Sequence, residues 1–178
     1  MHYAICCDFD GTITLMDTGK ALLTELTDKN WYHYDDLVIK GKMGTREALV
    51  NQWGMIEKTT MSDINKIVDE IKVDPTFIEF YEWTKKISLK FIIVSDGFIT
   101  YIERILSNTE IPEDEFEIKA NDMKLDDGKI KLEFLTAQCT HDCANCKYSH
   151  VKQLKDSGYK IIYIGDGLSD IFPARSLA

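Results

Sequence analysis

Near its start the chain reads Tyr3-Ala4-Ile5-Cys6-Cys7-Asp8-Phe9-Asp10-Gly11-Thr12. A short apolar run that ends at a glycine predicts a buried parallel strand. Parallel sheets place their ligand sites beyond the carboxyl ends of the strands, which is where Asp8 and Asp10 fall. Alternate side chains of a strand share a face, so both carboxylates are predicted to lie on the same side. Asp-Gly is also ordinary turn chemistry, so a turn or a helix cap is the alternative to a catalytic pair.

The composition favours one globular domain and disfavours two classes of partner. The 178 residues are 44% hydrophobic and 29% charged, which suffices for a sizeable core and a small inserted lobe. The formal net charge of −9 argues against a nucleic-acid or anionic-membrane surface. No apolar run approaches the length of a membrane span, and we expect no signal peptide before Asp8. Together with the odd number of cysteines, five, this predicts a reducing, cytoplasmic setting.

The residues between the first strand and the second predict helices. The predicted helices cover residues 18–26, 31–39, 46–56 and 63–71 and a stretch that begins at Pro75. Thr45 and Ser62 are the predicted N-caps of the third and fourth of these helices, and Asp74 is that of the fifth.

Strands and helices alternate through the rest of the chain, which predicts an α/β fold with a parallel, Rossmann-like core sheet. Further buried strands are expected over residues 90–94 and 159–164, and a hairpin over residues 116–134. The turn of that hairpin is predicted at Asp126-Asp127-Gly128, because Asp-Gly suits a tight two-residue connection.

A small all-helical cap is predicted to be inserted after the first strand, above its carboxyl end. The expected division is a core of residues 1–14 and 88–178 and a cap of residues 15–87. Only residues 171–178 follow the last polar motif. We therefore expect either a sheet smaller than usual for such folds or a shortened form of the chain.

Polar groups follow each of the three predicted parallel strands, at the ends that meet in such a sheet. They are Asp8 and Asp10 after the first strand, Ser95-Asp96-Gly97 after the second, and Asp166 and Asp170 after the third. A phosphate monoester bound there would meet Asp8 as a nucleophile and Asp10 as a proton donor and acceptor.

The other polar groups suit the remaining needs of phosphoryl transfer. Asp166 supplies a hard oxygen for Mg²⁺, and Asp170 supports that site or positions a lysine. Ser95 and the backbone N–H groups around Gly97 can bind phosphoryl oxygens, while Lys147 offsets their charge. Singly, each residue has a structural alternative: Ser95 as a cap, Asp166 as a turn residue and Lys147 as a solvated side chain.

Four ordered motifs resemble those of the haloacid dehalogenase superfamily. They are Asp8-Phe9-Asp10-Gly11-Thr12, the strand that ends in Ser95, Lys147 after the hairpin, and Gly165-Asp166-Gly167-Leu168-Ser169-Asp170. The resemblance implies an Mg²⁺-dependent phosphatase that forms an aspartyl-phosphate on Asp8, with Asp10 as the acid and base.

The same resemblance implies the ligand sets. It implies that the metal is bound by Asp8, the backbone carbonyl of Asp10, and Asp166. It implies that the phosphate is bound by Ser95-Asp96-Gly97 and Lys147. Thr12 and Asp170 would support these groups. The helical insertion looks like the cap of the phosphoserine-phosphatase branch of the superfamily.

Two stretches resemble one group within that branch. Trp31 with residues 41–49, and the cysteine loop that ends in residues 143–147, resemble those of 2-hydroxy-3-keto-5-methylthiopentenyl-1-phosphate phosphatases. Asp96 departs from the Ser-Gly-Gly of that group, and a carboxylate there suits a cationic or hydroxylated substrate. Cysteines before the motif lysine are also a feature of phosphocholine and phosphoethanolamine phosphatases. Arg46 is the candidate substrate contact in the cap, because a guanidinium matches carboxylate or phosphate; a solvated helix face is the alternative.

A cysteine-rich loop precedes Lys147. It offers four donors within eight residues, namely Cys139, His141, Cys143 and Cys146. Four such donors can hold Zn²⁺ tetrahedrally, but a single short loop rarely surrounds a whole tetrahedron. The alternative is a set of reduced cysteines that shape a turn.

We expect from the sequence a cytoplasmic phosphatase, dependent on Mg²⁺, that acts on a small phosphorylated metabolite as a monomer or homodimer. No nucleic-acid or membrane partner is expected. One alternative is a phosphotransferase or mutase, which would pass the aspartyl-phosphate to a second substrate. The other is a non-catalytic domain that binds phosphorylated ligands.

Overall fold

The computed structural model describes residues 2–112 and 115–177, and five strands there form one sheet. The strands are β1 (His2–Cys7), β2 (Lys90–Phe98), β3 (Glu117–Asp126), β4 (Lys129–Glu133) and β5 (Tyr159–Ile164). Their spatial order is β4-β3-β2-β1-β5. Neighbouring strands pair in parallel, except that β3 and β4 form an antiparallel hairpin. The predicted α/β fold with a parallel core sheet is confirmed.

Strand β1 lies inside the sheet, between β2 and β5. Its residue Cys6 pairs with Ile92 on one side and with Tyr163 on the other. The backbone N–H of Asp8 still donates to the carbonyl of Ile164, at 2.9 Å. The first acidic residue therefore leaves the sheet between two paired strands, with the ends of β2 and β5 beside it.

Strand β2 continues past the predicted end at Val94 and reaches Phe98. Its pairing with β3 has an irregularity between those two residues. Phe98 is 1% exposed, so the burial of its ring favours keeping the backbone extended beyond Ser95. The bulged segment presents Ser95, Asp96 and Gly97 at the edge of the site.

Eight helices lie within the described residues. They are α1 (Thr18–Leu26), α2 (Tyr32–Ile39), α3 (Thr45–Trp53), α4 (Met61–Val68), α5 (Pro75–Lys86), α6 (Ile99–Ser107), α7 (Lys147–Asp156) and α8 (Leu168–Arg175). Within the parts of the chain that the structure covers, no helix combines the length and the apolar character that crossing a membrane requires.

Two of the predicted N-caps are wrong, and one is confirmed. Helix α3 includes Thr45, whose hydroxyl accepts from the backbone N–H of Ala144 instead of capping the helix. Helix α4 begins two residues earlier than predicted, because Thr60 and Asp63 form a capping box across its start. The Asp74 carboxylate caps α5 by accepting from Thr76 N–H, as predicted.

Helix α5 packs on the sheet. The ring of Tyr81 lies 5.4 Å from that of Phe91 in β2, centroid to centroid, and 4.7 Å from that of Phe116. The tryptophans Trp31 and Trp53 are 2% and 1% exposed and belong to the hydrophobic core. The division of the chain into core and cap stays a prediction.

Candidate active site

Lys147 lies between two carboxylates at the carboxyl ends of β1 and β5. Its Nζ atom is 2.7 Å from Asp8 Oδ2 and 2.8 Å from Asp170 Oδ1. All three residues are buried. Asp8 follows β1, Lys147 is the first residue of α7, and Asp170 belongs to α8. One ammonium is thus shared by two carboxylates, in a place where water screens charge poorly.

The pKa values of the Asp8 and Asp170 carboxyl groups are shifted in opposite directions. Burial raises the pKa of the Asp8 carboxyl, against the opposing effect of the Lys147 ammonium. Burial also acts on Asp170, but Lys147 and the Tyr163 hydroxyl, which donates to Asp170 Oδ1 at 2.6 Å, hold its pKa below the ordinary value. Burial works against the charge of Lys147, yet the neighbouring carboxylates outweigh it and raise the pKa of the ammonium.

The Asp10 carboxylate faces the same cavity but is held by other groups. Its Oδ1 accepts from the backbone N–H of Thr18 at 2.9 Å, and its Oδ2 accepts from the Tyr101 hydroxyl at 2.8 Å. Burial and the negative charge of Asp17 raise the pKa of Asp10 to about 6, although the two hydrogen bonds lower it. Asp10 can therefore take up and release a proton near neutral pH.

Gly97 sits in a position that has no room for a side chain. A Cβ atom there would lie 1.9 Å from the Tyr101 Oη and 2.7 Å from Asp10 Oδ2. The backbone N–H of Gly97 donates to the Ser95 hydroxyl at 3.0 Å, and Ser95 is 1% exposed. The glycine thus lets the end of β2 approach Asp10 closely, with the Ser95 hydroxyl held beside it.

Asp166 completes a cluster of carboxylate oxygens. It is exposed at the end of β5 and accepts from the Thr12 hydroxyl at 2.6 Å. One oxygen each of Asp8, Asp166 and Asp170 lies within 4.8 Å of the others. Hard carboxylate oxygens are the protein ligands that Mg²⁺ prefers, so this donor set fits that ion. The role predicted for the Asp10 carbonyl in the same site stays a prediction.

Asp96 connects β2 to the cysteine loop. Its Oδ1 accepts from the backbone N–H of Asn145 at 3.3 Å, and burial raises the pKa of its carboxyl. The buried side chain of Asn145 donates to the carbonyls of Ser95 and Lys119, at 2.8 and 2.9 Å. The loop is therefore tied to the sheet one residue before Cys146 and two before Lys147.

Arg46 binds that loop rather than lining the cavity. Its guanidinium donates to the carbonyls of Cys143, at 3.2 Å, and Thr136, at 2.6 Å. It also stacks over the Phe134 ring, 4.2 Å from the ring centroid. The Arg46 guanidinium is therefore occupied by two backbone carbonyl oxygens and an aromatic ring. This geometry does not support the predicted contact with the substrate.

The structure brings together three of the four predicted zinc ligands. The Sγ atoms of Cys139, Cys143 and Cys146 all lie within 4.8 Å of one another. His141 is not part of this cluster, because its ring packs against that of Phe172, with the centroids 4.8 Å apart. The four-ligand set is therefore not assembled.

A cavity of about 420 Å³ opens above the carboxylates. Its floor comes from the strand ends, and its opposite wall comes from helices α1, α2 and α3. The wall residues are Gly19, Lys20, Asp35, Val38, Ile39, Thr45, Ala48, Leu49, Gln52 and Trp53. Five of these ten residues are hydrophobic, and the one cation among them is paired, since Lys20 lies 3.3 Å from Asp17.

Three functional neighbours escaped the sequence reasoning. Tyr101 binds Asp10, Tyr163 binds Asp170, and Asn145 holds the cysteine loop. Each of them lies on a different element from the group it contacts. Only Asn145 had a local signal, since it stands between Cys143 and Lys147 in a segment already singled out.

The sequence is similar to known phosphatases along most of its length. The Putative Phosphatase family matches residues 3–178. A 2-hydroxy-3-keto-5-methylthiopentenyl-1-phosphate phosphatase of Bacillus velezensis is 27% identical over 175 residues, which cover 96% of this chain and 74% of that protein. Pdp3-interacting factor 1 of Schizosaccharomyces pombe is also 27% identical, over 94% of this chain and 76% of its own length.

Solved structures agree on the fold. A phosphoserine phosphatase, solved as a phospho-aspartyl intermediate analogue, superposes with a TM-score of 0.77 at 18% identity, over 99% of this chain and 83% of that chain. A substrate-bound phosphoserine phosphatase complex gives 0.76 at 18% identity, over 100% and 83% of the two chains. The chain therefore belongs to the Putative Phosphatase family and has the fold of the haloacid dehalogenase phosphatases.

Proposed function

We propose that this protein is an Mg²⁺-dependent phosphatase that hydrolyses a small organic phosphate monoester through an aspartyl-phosphate on Asp8. The observation that carries the proposal is the pairing of Asp8 with the Lys147 ammonium at 2.7 Å, with Asp10 across the same cavity. Transfer of a phosphoryl group to an aspartate requires a nucleophilic carboxylate, a fixed positive charge and a separately held acid.

In the proposed first step the Asp8 carboxylate attacks phosphorus, and the phosphorus–oxygen bond to the leaving group breaks. The leaving alkoxide takes the proton of Asp10, whose raised pKa keeps the acid form available. In the second step Asp10 takes a proton from water, which attacks the aspartyl-phosphate and releases inorganic phosphate. The Ser95 hydroxyl and the Lys147 ammonium stabilise the transferring oxygens in both steps.

Asp8 and Asp166 would hold the metal, with Asp170 behind them. When bound there, Mg²⁺ would supply positive charge that stabilises the phosphoryl oxygens and the nucleophile. Thr12 orients Asp166 through its hydroxyl, and Gly11 has no side chain that would displace that carboxylate, since a Cβ there would lie 2.8 Å from Asp166 Oδ2.

The cavity favours a substrate whose body is mainly uncharged. Val38, Ile39 and Leu49 contribute apolar surface, and Asp35 and Gln52 are hydrogen-bonded to each other at 2.7 Å. The several curated relatives named as 2-hydroxy-3-keto-5-methylthiopentenyl-1-phosphate phosphatases support a substrate with hydroxyl and thioether groups. The cytoplasmic location and the monomeric or homodimeric state stay predictions.

A screen of small phosphomonoesters, measured by phosphate release with Mg²⁺ and with a chelator, tests this proposal. The panel should include phosphoserine, phosphocholine and a hydroxyketo thioether phosphate. Transfer to an added alcohol in preference to water would favour the phosphotransferase alternative. Binding of a phosphate monoester without release of phosphate would favour the non-catalytic one.

Removal of the metal should abolish activity reversibly. The donor set consists of hard oxygens, so Mg²⁺ should restore turnover, whereas Ca²⁺, which takes more ligands at longer distances, should restore it poorly. The measurement is the initial rate after dialysis against EDTA and then against each ion. Full turnover after exhaustive chelation would contradict the assignment of Asp8 and Asp166 to a metal.

Replacement of Tyr101 by phenylalanine should shift the pH dependence. The Tyr101 hydroxyl stabilises the charged form of Asp10 and so lowers its pKa, which is about 6 with this bond in place. Without the bond the pKa rises, so the bend that Asp10 gives to the profile of log kcat/KM should move to higher pH. In Asp10→Asn that bend should be absent, and the rate should fall by roughly 10²–10⁴-fold. A lower rate with an unmoved bend in Tyr101→Phe would mean that the hydroxyl only fills space.

A further inference from the structure

Three cysteines form a cluster outside the catalytic machinery. The Sγ atoms of Cys139, Cys143 and Cys146 lie within 4.8 Å of one another, and no disulfide joins them in the structure. In a tetrahedral zinc site with Zn–S bonds of about 2.3 Å, the sulfur atoms lie about 3.8 Å apart. Small side-chain rotations therefore bring the present cluster to that spacing.

Packing does not account for this cluster. Cys6 and Cys7 lie in β1, are 0% and 3% exposed, and belong to the hydrophobic core. The three loop cysteines, in contrast, are partly exposed, and the two hydrophobic clusters of the described residues do not include them. A free cysteine that serves only packing behaves as a small buried hydrophobe. These three cysteines are not buried in that way.

The loop backbone is shaped to hold sulfur atoms. A turn from Cys139 to Asp142 is closed by a backbone hydrogen bond of 3.0 Å, and Asp142 has a φ of 50°. The N–H of Cys143 then points at the Cys139 Sγ, 3.4 Å away. Such an N–H donor favours the thiolate, which is the form that binds metal.

We propose that Cys139, Cys143 and Cys146 bind one Zn²⁺ ion, with solvent as the fourth ligand. The proposal is independent of the catalytic metal, whose ligands are carboxylates. Soft thiolate donors select zinc over Mg²⁺, and the Cys-x-x-Cys spacing of the last two is common in zinc sites. His141 is not a ligand, because its ring lies on Phe172.

The site has a direct structural consequence. Cys146 is the residue before α7, and Lys147 is the first residue of that helix. Arg46 holds the carbonyl of Cys143, and Thr45 holds the N–H of Ala144, so α3 braces the same loop from the other side. A bound zinc would fix the loop between these contacts and thereby fix the start of the helix that carries the active-site ammonium.

Elemental analysis of the tag-free protein, prepared without added metal and under reducing conditions, tests the proposal. We expect about one zinc per chain, lost in Cys143→Ser and retained in His141→Ala. Asp166→Asn should also retain it, which separates this site from the carboxylate cluster. Stoichiometric zinc that is lost in Asp166→Asn, or stoichiometric copper or iron in place of zinc, would overturn the assignment.

Two measurements on the unmodified chain keep the test independent of the folding of Cys143→Ser. Titration with a mercurial reagent should release zinc in step with the modification of thiols, as followed with a chromogenic chelator. Substitution by Co²⁺ should give the absorption bands typical of tetrahedral thiolate coordination. A chain without zinc and without those bands, or one with a disulfide within this loop, would show that the cysteines serve packing or redox chemistry instead.

Discussion

Asp8→Asn is expected to reduce turnover by roughly 10⁴-fold or more, to the level of background hydrolysis. An amide does not attack phosphorus as a carboxylate does, so the proposed intermediate cannot form. The fold should survive, because Lys147 would then be paired with Asp170 alone, at 2.8 Å, and the buried charges would balance. The measurement is phosphate release at saturating substrate, together with thermal unfolding.

A matched control for this substitution is Asp36→Asn. The Asp36 side chain is 65% exposed and makes only a long surface ion pair of 3.9 Å with Lys40. It should change neither the rate nor the unfolding temperature appreciably. A second readout is the covalent intermediate itself, which rapid acid quenching of a phosphate-labelled substrate should trap on the wild-type chain and not on Asp8→Asn. Near-normal turnover in Asp8→Asn would exclude the proposed mechanism.

The parts of the site that could be predicted from sequence are those placed by the sheet. Asp8, Ser95 and Asp166 follow short apolar strands, and parallel strands bring their carboxyl ends to one edge. Strand β1 pairs with β2 on one side and with β5 on the other, so the ends of these three strands lie next to one another. The hairpin of β3 and β4 was predictable from its Asp-Gly turn for the same reason: a local rule determined it.

The contacts that depend on tertiary packing could not be predicted from the sequence. Tyr101 reaches Asp10 because α6 begins directly after β2, the strand beside β1. No spacing rule predicts a contact between residues 91 positions apart. The cap of α4 was missed for a different reason. Three hydroxyl residues, Thr59, Thr60 and Ser62, stand near its start, and only Thr60 has an acidic residue three positions later. Attention to that spacing would have selected Thr60.

The cysteine loop shows what spacing does and does not determine. Cys139, Cys143 and Cys146 are so close in the sequence that the short loop between them predicts contact between their side chains. The three Sγ atoms do lie together. The direction of His141 depended on an aromatic partner in α8, Phe172, which no local pattern indicates. Counting the possible metal ligands in a sequence therefore overestimates how many bind when one of those side chains packs against another residue instead.

The second large effect is expected from Lys147→Met, in which a neutral side chain of similar length replaces the ammonium. Asp8 and Asp170 would then face each other, buried, with no cation between them. Loss of one partner from a buried ion pair typically lowers the free energy of unfolding by about 3–5 kcal/mol. Turnover should fall as well, by roughly 10²–10³-fold, because a fixed charge that stabilises the transferring oxygens is lost.

Lys152→Met is the matched control for this substitution. Lys152 belongs to the same helix, and its side chain is 55% exposed in an ion pair with Asp156 at 2.5 Å. Exposed pairs of this kind contribute about 0–1 kcal/mol, so the unfolding temperature should change little and the rate not at all. A comparable loss in both variants would mean that the helix, and not the buried charge, is what matters.

The pH dependence of unfolding separates this electrostatic account from a simple packing defect. Without Lys147, burial and mutual repulsion raise the pKa values of Asp8 and Asp170 above their unfolded value of about 4. Protons then bind more tightly to the folded state, so stability is lost as pH rises above about 4. The deficit of Lys147→Met relative to wild type should therefore be largest at neutral pH and shrink towards pH of about 4. Urea unfolding in EDTA across this range measures it, and a deficit independent of pH would contradict the buried charge pair as its cause.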